Sequence, residues 1–320
     1  MSLLTVVNNA AAEISLGTGL TTYTTVVNNT DPNAVLFYAL ANRAGKELAE
    51  DASAAGYWQF LRKQYVFKTS GVGPYTCTIT PNTTTLTNLS NTAGIAVGQN
   101  VYAVGLLNDT LVTDTSQLGS GTVGISIAPS ATVTLTGQSC TFATENYPLP
   151  ADFAYLIVQT EWDRNFRWQL LGPLDAQEWQ VIKSGISPVG PRMRFRIMQG
   201  QFYINPVGSA STLYTDNIVY EYVSNQWVGT GSAPTIGAQT TFQADTDVSL
   251  INEELLTLGV EWRFLRARGL PWQDTFKDYT EKKDKICGRS ASARNLPLNS
   301  RASGIRLLNS QNVPDTGFGS

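Results

Sequence analysis

Histidine is missing altogether from this chain of 320 residues, and charge of either sign is scarce. Without an imidazole, a Ser-His-Asp or Cys-His nucleophile is excluded, and so is the commonest transition-metal ligand. Lys, Arg, Asp and Glu make up 15% of the residues, against roughly 25% in average soluble proteins. Thr, Asn, Gln and Ser supply the polarity instead, a balance that suits a surface covered by neighbours. Cysteine is nearly absent too. Cys77, Cys140 and Cys287 are too few and too scattered for a CxxC metal site. Cys77 and Cys140 lie where two strands could be neighbours, so they are expected as a pair of buried thiols or, less in keeping with a reducing compartment, as a disulfide. No window approaches the roughly 20 apolar residues of a membrane span. The opening MSLLTVVNNAAAEIS has no basic stretch ahead of an apolar run, so no secretory signal is read and folding in the cytoplasm that makes the chain is expected. The net charge of −3 argues against a free-standing nucleic-acid binder.

The most local absence is the most informative. Residues 71–144 contain no Lys, Arg or His and only two acids, Asp109 and Asp114, while the flanks carry Trp58, Arg62 and Lys63 on one side and Trp162, Asp163 and Arg164 on the other. Short runs alternate here between turn signals: TCTIT before Pro81, NVYAVG, GTVGISIA before Pro129, and TVTLTG before Gln138. Strands of this length and spacing predict a small barrel or sandwich, set as a self-contained unit into an unrelated host.

The host reads as helix and sheet. Leu3 to Ile14 has Leu3, Val6, Val7, Ala10, Ala11 and Ile14 at helical spacing. Asp31 and Pro32 make an N-cap followed by a first-turn proline. They open a helix to about Asp51 with Val35, Leu36, Leu40, Ala44 and Leu48 as its stripe and Gly56 as terminator. Trp58–Thr69 predicts a strand, Asp175–Lys183 a short helix, and Arg192–Met198, Gln201–Ile204 and Ile218–Val223 a meander. Ser249 to Ala267 predicts a helix stopped at Gly269. A second, opened by Pro271, carries Trp272, Phe276, Tyr279 and Ile286, and the two should pack as an antiparallel hairpin. Beyond Gly288 the composition cannot form a core unaided.

Candidate chemistry is thin. Glu253 with Glu254 reads as first-turn acids interacting with the helix dipole, Asp245 with Asp247 as turn residues, and Asp152 with Asp163 as local structure, so a pair of glycosidase carboxyls has no support in the spacing. LGSGTVG at 118–124 lacks the Lys-Ser/Thr of a phosphate loop and reads as a turn. The aromatic stripe at 262–279 reads as packing between helices in preference to a stacking platform for nucleic acid. Arg192, Arg194 and Arg196, at period two, form the best basic stripe, facing a neighbouring copy, a DNA-bearing channel or solvent. No catalytic, cofactor or metal residues are assigned. Arg266, Arg268, Arg294, Arg301 and Arg306 join the stripe as candidate assembly contacts.

YPLPADF at 147–153, WD at 162–163, GPLDAQEW at 172–179, FRIMQGQFYINP at 195–206 and the EELL…W…RARG helix within 245–282 together resemble the head-to-tail adaptors of tailed phages, the tail tubular protein A family of short-tailed phages. The resemblance covers the helix at 32–51, the aromatic strand after it, and 147–288. It implies a helical bundle and a β-sheet domain in a ring, usually of twelve copies, between portal protein and the tail tube or nozzle, with DNA only as passing cargo, no membrane, and a place in the virion neck. The expected fold is therefore α+β. Residues 1–70 form the helical part and first strand of the host, 71–146 the inserted all-β unit, 147–248 the sheet part, 249–289 the helical hairpin and 290–320 an extended tail. A receptor- or carbohydrate-binding attachment protein is the alternative, and a glycosidase a weaker third.

Overall fold

The computed structural model describes residues 2–14, 22–51, 58–184, 192–206 and 216–290. It is mixed α+β, with five helices and several antiparallel sheets among the described residues. Helix α1 spans Leu3–Ile14 and buries the six residues its spacing predicts. Helix α2 spans Pro32–Glu50. The Asp31 side chain accepts the amides of Asn33 at 2.7 Å and Ala34 at 3.1 Å, satisfying donors that a helix start leaves orphaned. The buried stripe of α2 is Ala34, Phe37, Ala41, Ala44, Gly45 and Leu48. Val35, expected inside, is 50% exposed, because it lies off the side of the helix on which Ala34, Phe37, Ala41 and Leu48 are buried. Gly56 lies outside the described residues.

Strand β1 spans Arg62–Lys68, preceded by a single turn of 3-10 helix at Gln59–Leu61, so the expected strand begins four residues late. Then come β2 (Gly71–Ile79), β3 (Thr85–Thr87), β4 (Asn100–Ala103), β5 (Val112–Asp114), β6 (Val123–Ile125) and β7 (Leu135–Ala143). These six form one antiparallel sheet in the order β4-β7-β2-β3-β6-β5, around a cluster of their own that includes Ile79, Leu86, Val101, Val123 and Phe142. Strand β7 runs straight through the turn expected near Gln138, with Gly137 at φ 67° absorbing the irregularity. The two ends of this unit meet. The Thr144 amide donates to the Ser70 carbonyl at 2.9 Å, and the two hydroxyls are 2.9 Å apart. Cys77 and Cys140 are free, buried thiols in contact with each other on β2 and β7.

The remaining strands are β8 (Asn146–Pro148), β9 (Phe153–Leu156), β10 (Trp162–Asp163), β11 (Trp168–Gln169), β12 (Arg194–Met198), β13 (Gln201–Asn205), β14 (Asn217–Ser224), β15 (Val228–Gly229) and β16 (Val248–Ser249). The expected meander of three strands does not form. β13 pairs with β12 on one side and β8 on the other, whereas β14 joins a different sheet, between β1 and β10, with β9 also on it. The two sheets are joined through rings, with Phe195 stacked on Phe202 at 4.8 Å and Phe202 on Tyr220 at 5.2 Å. Stacked aromatic pairs contribute about 0.5–1.5 kcal/mol each beyond the area they bury.

Helix α3 spans Ala176–Lys183, capped by Asp175 on the Glu178 amide at 2.7 Å. Helix α4 (Glu253–Ala267) starts later than expected, at the Asn252 cap, and α5 spans Gln273–Ser290. The contacts of Glu254 with Lys282, Trp262 with Phe276 and Arg266 with Trp272 make α4 and α5 antiparallel. Central α4 also meets α2, where Phe37 stacks on Phe264 at 4.4 Å, and α1. Among the described residues no helix is long and apolar enough to cross a membrane.

Candidate functional site

The basic stripe sits on the outer face of the β12-β13-β8 sheet. Arg194 stands opposite Asn205 and Arg196 opposite Tyr203, while Phe195 between them points into the aromatic core. Arg194 and Arg196 are half-buried and Arg192 exposed, and among the described residues none of the three forms an ion pair. The free edge of β12 is taken by Leu171, whose amide donates to the Met193 carbonyl at 2.9 Å. Among the described residues the stripe is thus a cationic face without ion-pair partners.

Arg266 and Arg268 are placed elsewhere and are already engaged. The Arg266 guanidinium lies 5.6 Å over the Trp272 ring. Arg268, the C-cap residue of α4, lies 5.5 Å over Phe264 and donates to the Asn33 side chain at the start of α2. Reversing both charges would therefore disturb the bundle as well as its surface. Arg294, Arg301 and Arg306 lie outside the described residues.

Three polar constellations were not legible in sequence. The first joins the charge-poor sheet to α3. Lys183, at the end of α3, is almost wholly buried between Asp109 and Glu145, 2.6 Å from the Glu145 carboxylate. Glu145 also accepts from the Asn100 amide at 2.7 Å, and Asn108 donates to the Lys183 carbonyl at 2.8 Å. Burial keeps the Glu145 carboxyl above the usual range in spite of the lysine. One of the only two acids of residues 71–144 therefore receives a lysine from outside.

The second lies where α1 crosses α4. Asn9, Glu13, Glu253, Glu254 and Leu258 line a cleft of about 290 Å³. One turn along α4, Glu261 is 5% exposed, in hydrogen-bond contact with Glu13, and its Oε1 has no hydrogen-bond partner among the described residues. Burial, and then the Glu13 carboxyl, raise Glu261 to about 8. A carboxyl whose folded value is raised contributes stability that is fully present below its unfolded value of roughly 4.3 and lost as pH rises through the folded one. Melting temperature is accordingly expected to decline as pH goes from about 5 to about 8. Glu261→Gln should flatten that decline; melting curves with the same pH slope in both proteins would show that Glu261 does not titrate in this window.

The third is the β10–β11 hairpin. Asp163, buried at its base, accepts the amides of Asn165 at 2.8 Å and Phe166 at 3.3 Å. Asn165 donates to Asp216 at 3.1 Å and accepts from Asn217 at 2.9 Å. Burial, then Asp163, raise the Asp216 carboxyl to about 6. The turn ends on Arg167 at φ 57°, in the left-handed region. It presents Arg164, Phe166, Arg167 and Trp168 outward, the two rings 5.9 Å apart and 40% and 38% exposed. The alternation R-N-F-R-W was visible in sequence, but only the hairpin puts it at a tip.

The carboxylates weighed for catalysis are used structurally. Asp245 accepts the amides of Val26 and Val27, both at 2.9 Å, and Asp247 those of Gln243 and Ala244. Asp152 gathers Lys63 at 2.7 Å, Tyr222 at 2.9 Å and Ser224 at 2.7 Å, and the lysine with the two hydroxyls holds its carboxyl below the ordinary value against the cost of burial. Among the described residues no group of three or more Cys, Asp or Glu could hold a metal ion. Compared with models of known protein families and with curated proteins, the chain matches none.

Proposed function

We propose that this chain is a structural virion protein, a head-to-tail adaptor that forms a ring between the portal and the tail of a tailed phage. The observation that carries the reading is where the family-like segments go. Residues 32–51, the strand at 62–68 and 147–288, which hold the motifs, build the bundle around α4 and the two ring-stacked sheets. The arginines of β12, without ion pairs among the described residues, and the aromatic-arginine hairpin support an assembly role over a soluble monomeric one. In this reading the six-stranded unit is an inserted small barrel. Its edge strands β4 and β5 meet through the Val101 amide on Thr110 at 2.8 Å and the Val112 amide on Gln99 at 2.8 Å, and it projects from the ring; the tail expected at 290–320 lies, beyond Ser290, outside the described residues. Imaging of the assembled particle with this chain located tests the reading. A ring of density at the neck is expected, and density at a fibre tip would transfer the chain to receptor attachment.

A further inference from the structure

Two surfaces of this chain are complementary in charge and, among the described residues, are left largely without ionic partners. The β10–β11 hairpin offers Arg164 and Arg167, neither in an ion pair among the described residues, beside exposed Phe166 and Trp168. Arginine and large aromatics dominate the energetics of protein interfaces. The turn is already fixed by Asp163, Asn165 and Asn217, so little conformational entropy remains to be lost on docking. The α1–α4 cleft is the converse. It collects Glu13, Glu253 and Glu254, with Glu261 behind them, and among the described residues only Glu254 has a cationic partner, Lys282. Two carboxyl groups in contact, as Glu13 and Glu261 are, cannot both ionise without a cation nearby. The buried Oε1 of Glu261, without a hydrogen-bond partner among the described residues, leaves acceptor capacity at that spot.

We propose that the Arg164–Trp168 hairpin of one copy docks on the α1–α4 cleft of a second copy, its guanidinium groups against Glu13 and Glu253 and its rings beside Leu258. The occupant is a second copy because the required chemistry, paired arginines on an aromatic tip, is displayed by this same chain, and among the described residues the two surfaces share no hydrogen bond or ion pair within one molecule. The contact is heterologous: each copy contributes a different face, so association continues until a ring closes or a filament grows. This inference rests on the ring reading for its biological setting but stands on solution behaviour alone.

Sedimentation velocity on the full chain tests it with two variants, Arg164→Ser with Arg167→Asn in the hairpin, and Glu13→Gln with Glu253→Gln in the cleft. Wild type is expected to associate in a salt-sensitive manner, and each variant alone to stay folded, with a cooperative melt, and to associate at least about tenfold more weakly. An equimolar mixture of the two variants retains one intact hairpin and one intact cleft, so it should form heterodimers and nothing larger. Wild type that stays monomeric at about 1 mM, variants that associate as well as wild type, or a mixture that gives no heterodimer would each overturn the contact. A particle lacking this chain at its neck, with the heterodimer still formed in the mixture, would instead sink the ring reading and leave the contact standing.

Discussion

Lys183→Met is expected to release the six-stranded unit from the body, at a cost of about 3–5 kcal/mol, the usual penalty for removing one partner of a buried ion pair. The lysine is buried between the two carboxylates, and its loss leaves the Glu145 carboxylate, itself buried, with the Asn100 side-chain amide as its one remaining partner among the described residues. The bond to Asp109 matters less, because that carboxylate is half exposed and screened by water. The effect should depend on pH. Glu145 already lies above its ordinary value, and without the lysine it will rise further. The variant's deficit should therefore be smallest in acid, where Glu145 is protonated in both folded and unfolded chains, and grow as pH rises through the raised value. Amide exchange should show protection lost across residues 97–112 and 143–147, and thermal melting should gain an early transition. A single transition unmoved from wild type would mean that Lys183 does not hold the joint.

Gly45→Ala is expected to destabilise the bundle by about 1–3 kcal/mol or more, the scale of overpacking a dense core. On helix propensity alone the change should stabilise, by about 1 kcal/mol. Packing decides the sign. A Cβ at Gly45 would lie 2.0 Å from Cη2 and 2.3 Å from Cζ3 of Trp227. That ring is 1% exposed and held edge-on against Phe242 at 5.0 Å, so it has nowhere to move. The check is a double-mutant cycle. Trp227→Phe lowers stability by itself, but Gly45→Ala added to it should cost far less than in wild type. Simple additivity of the two would refute the clash.

Much of the local structure was legible. The spacing of Leu3, Val6, Val7, Ala10, Ala11 and Ile14 gave α1 residue for residue, and Asp31-Pro32 gave the start of α2, because caps and periodicity are properties of neighbours in the chain. The bland reading of Asp245, Asp247, Glu253 and Glu254 stood for the same reason. What sequence could not place were groups whose meaning depends on a distant partner. Lys183 and Glu261 look like ordinary helical charges, and nothing near them in sequence announces Glu145 or Glu13 across the packing. Nor could local pattern assign β14, since a strand's sheet is chosen by which edge its aromatic face can bury, here against Phe67 and Phe202.

By itself the sequence determined α1, the start of α2, the α+β composition, the absence of imidazole chemistry and the charge-poor character of residues 71–144. Those follow from residue type and spacing within a few turns of chain. Tertiary structure alone decided that Ser70 meets Thr144, that one lysine from α3 fastens that unit to the body, that a glycine in α2 is the seat of Trp227, and that R-N-F-R-W becomes an exposed tip over two buried aspartates. The reason is physical: the energy of each such contact depends on desolvation and steric fit between residues far apart in sequence, and neither exists until the chain has closed around them.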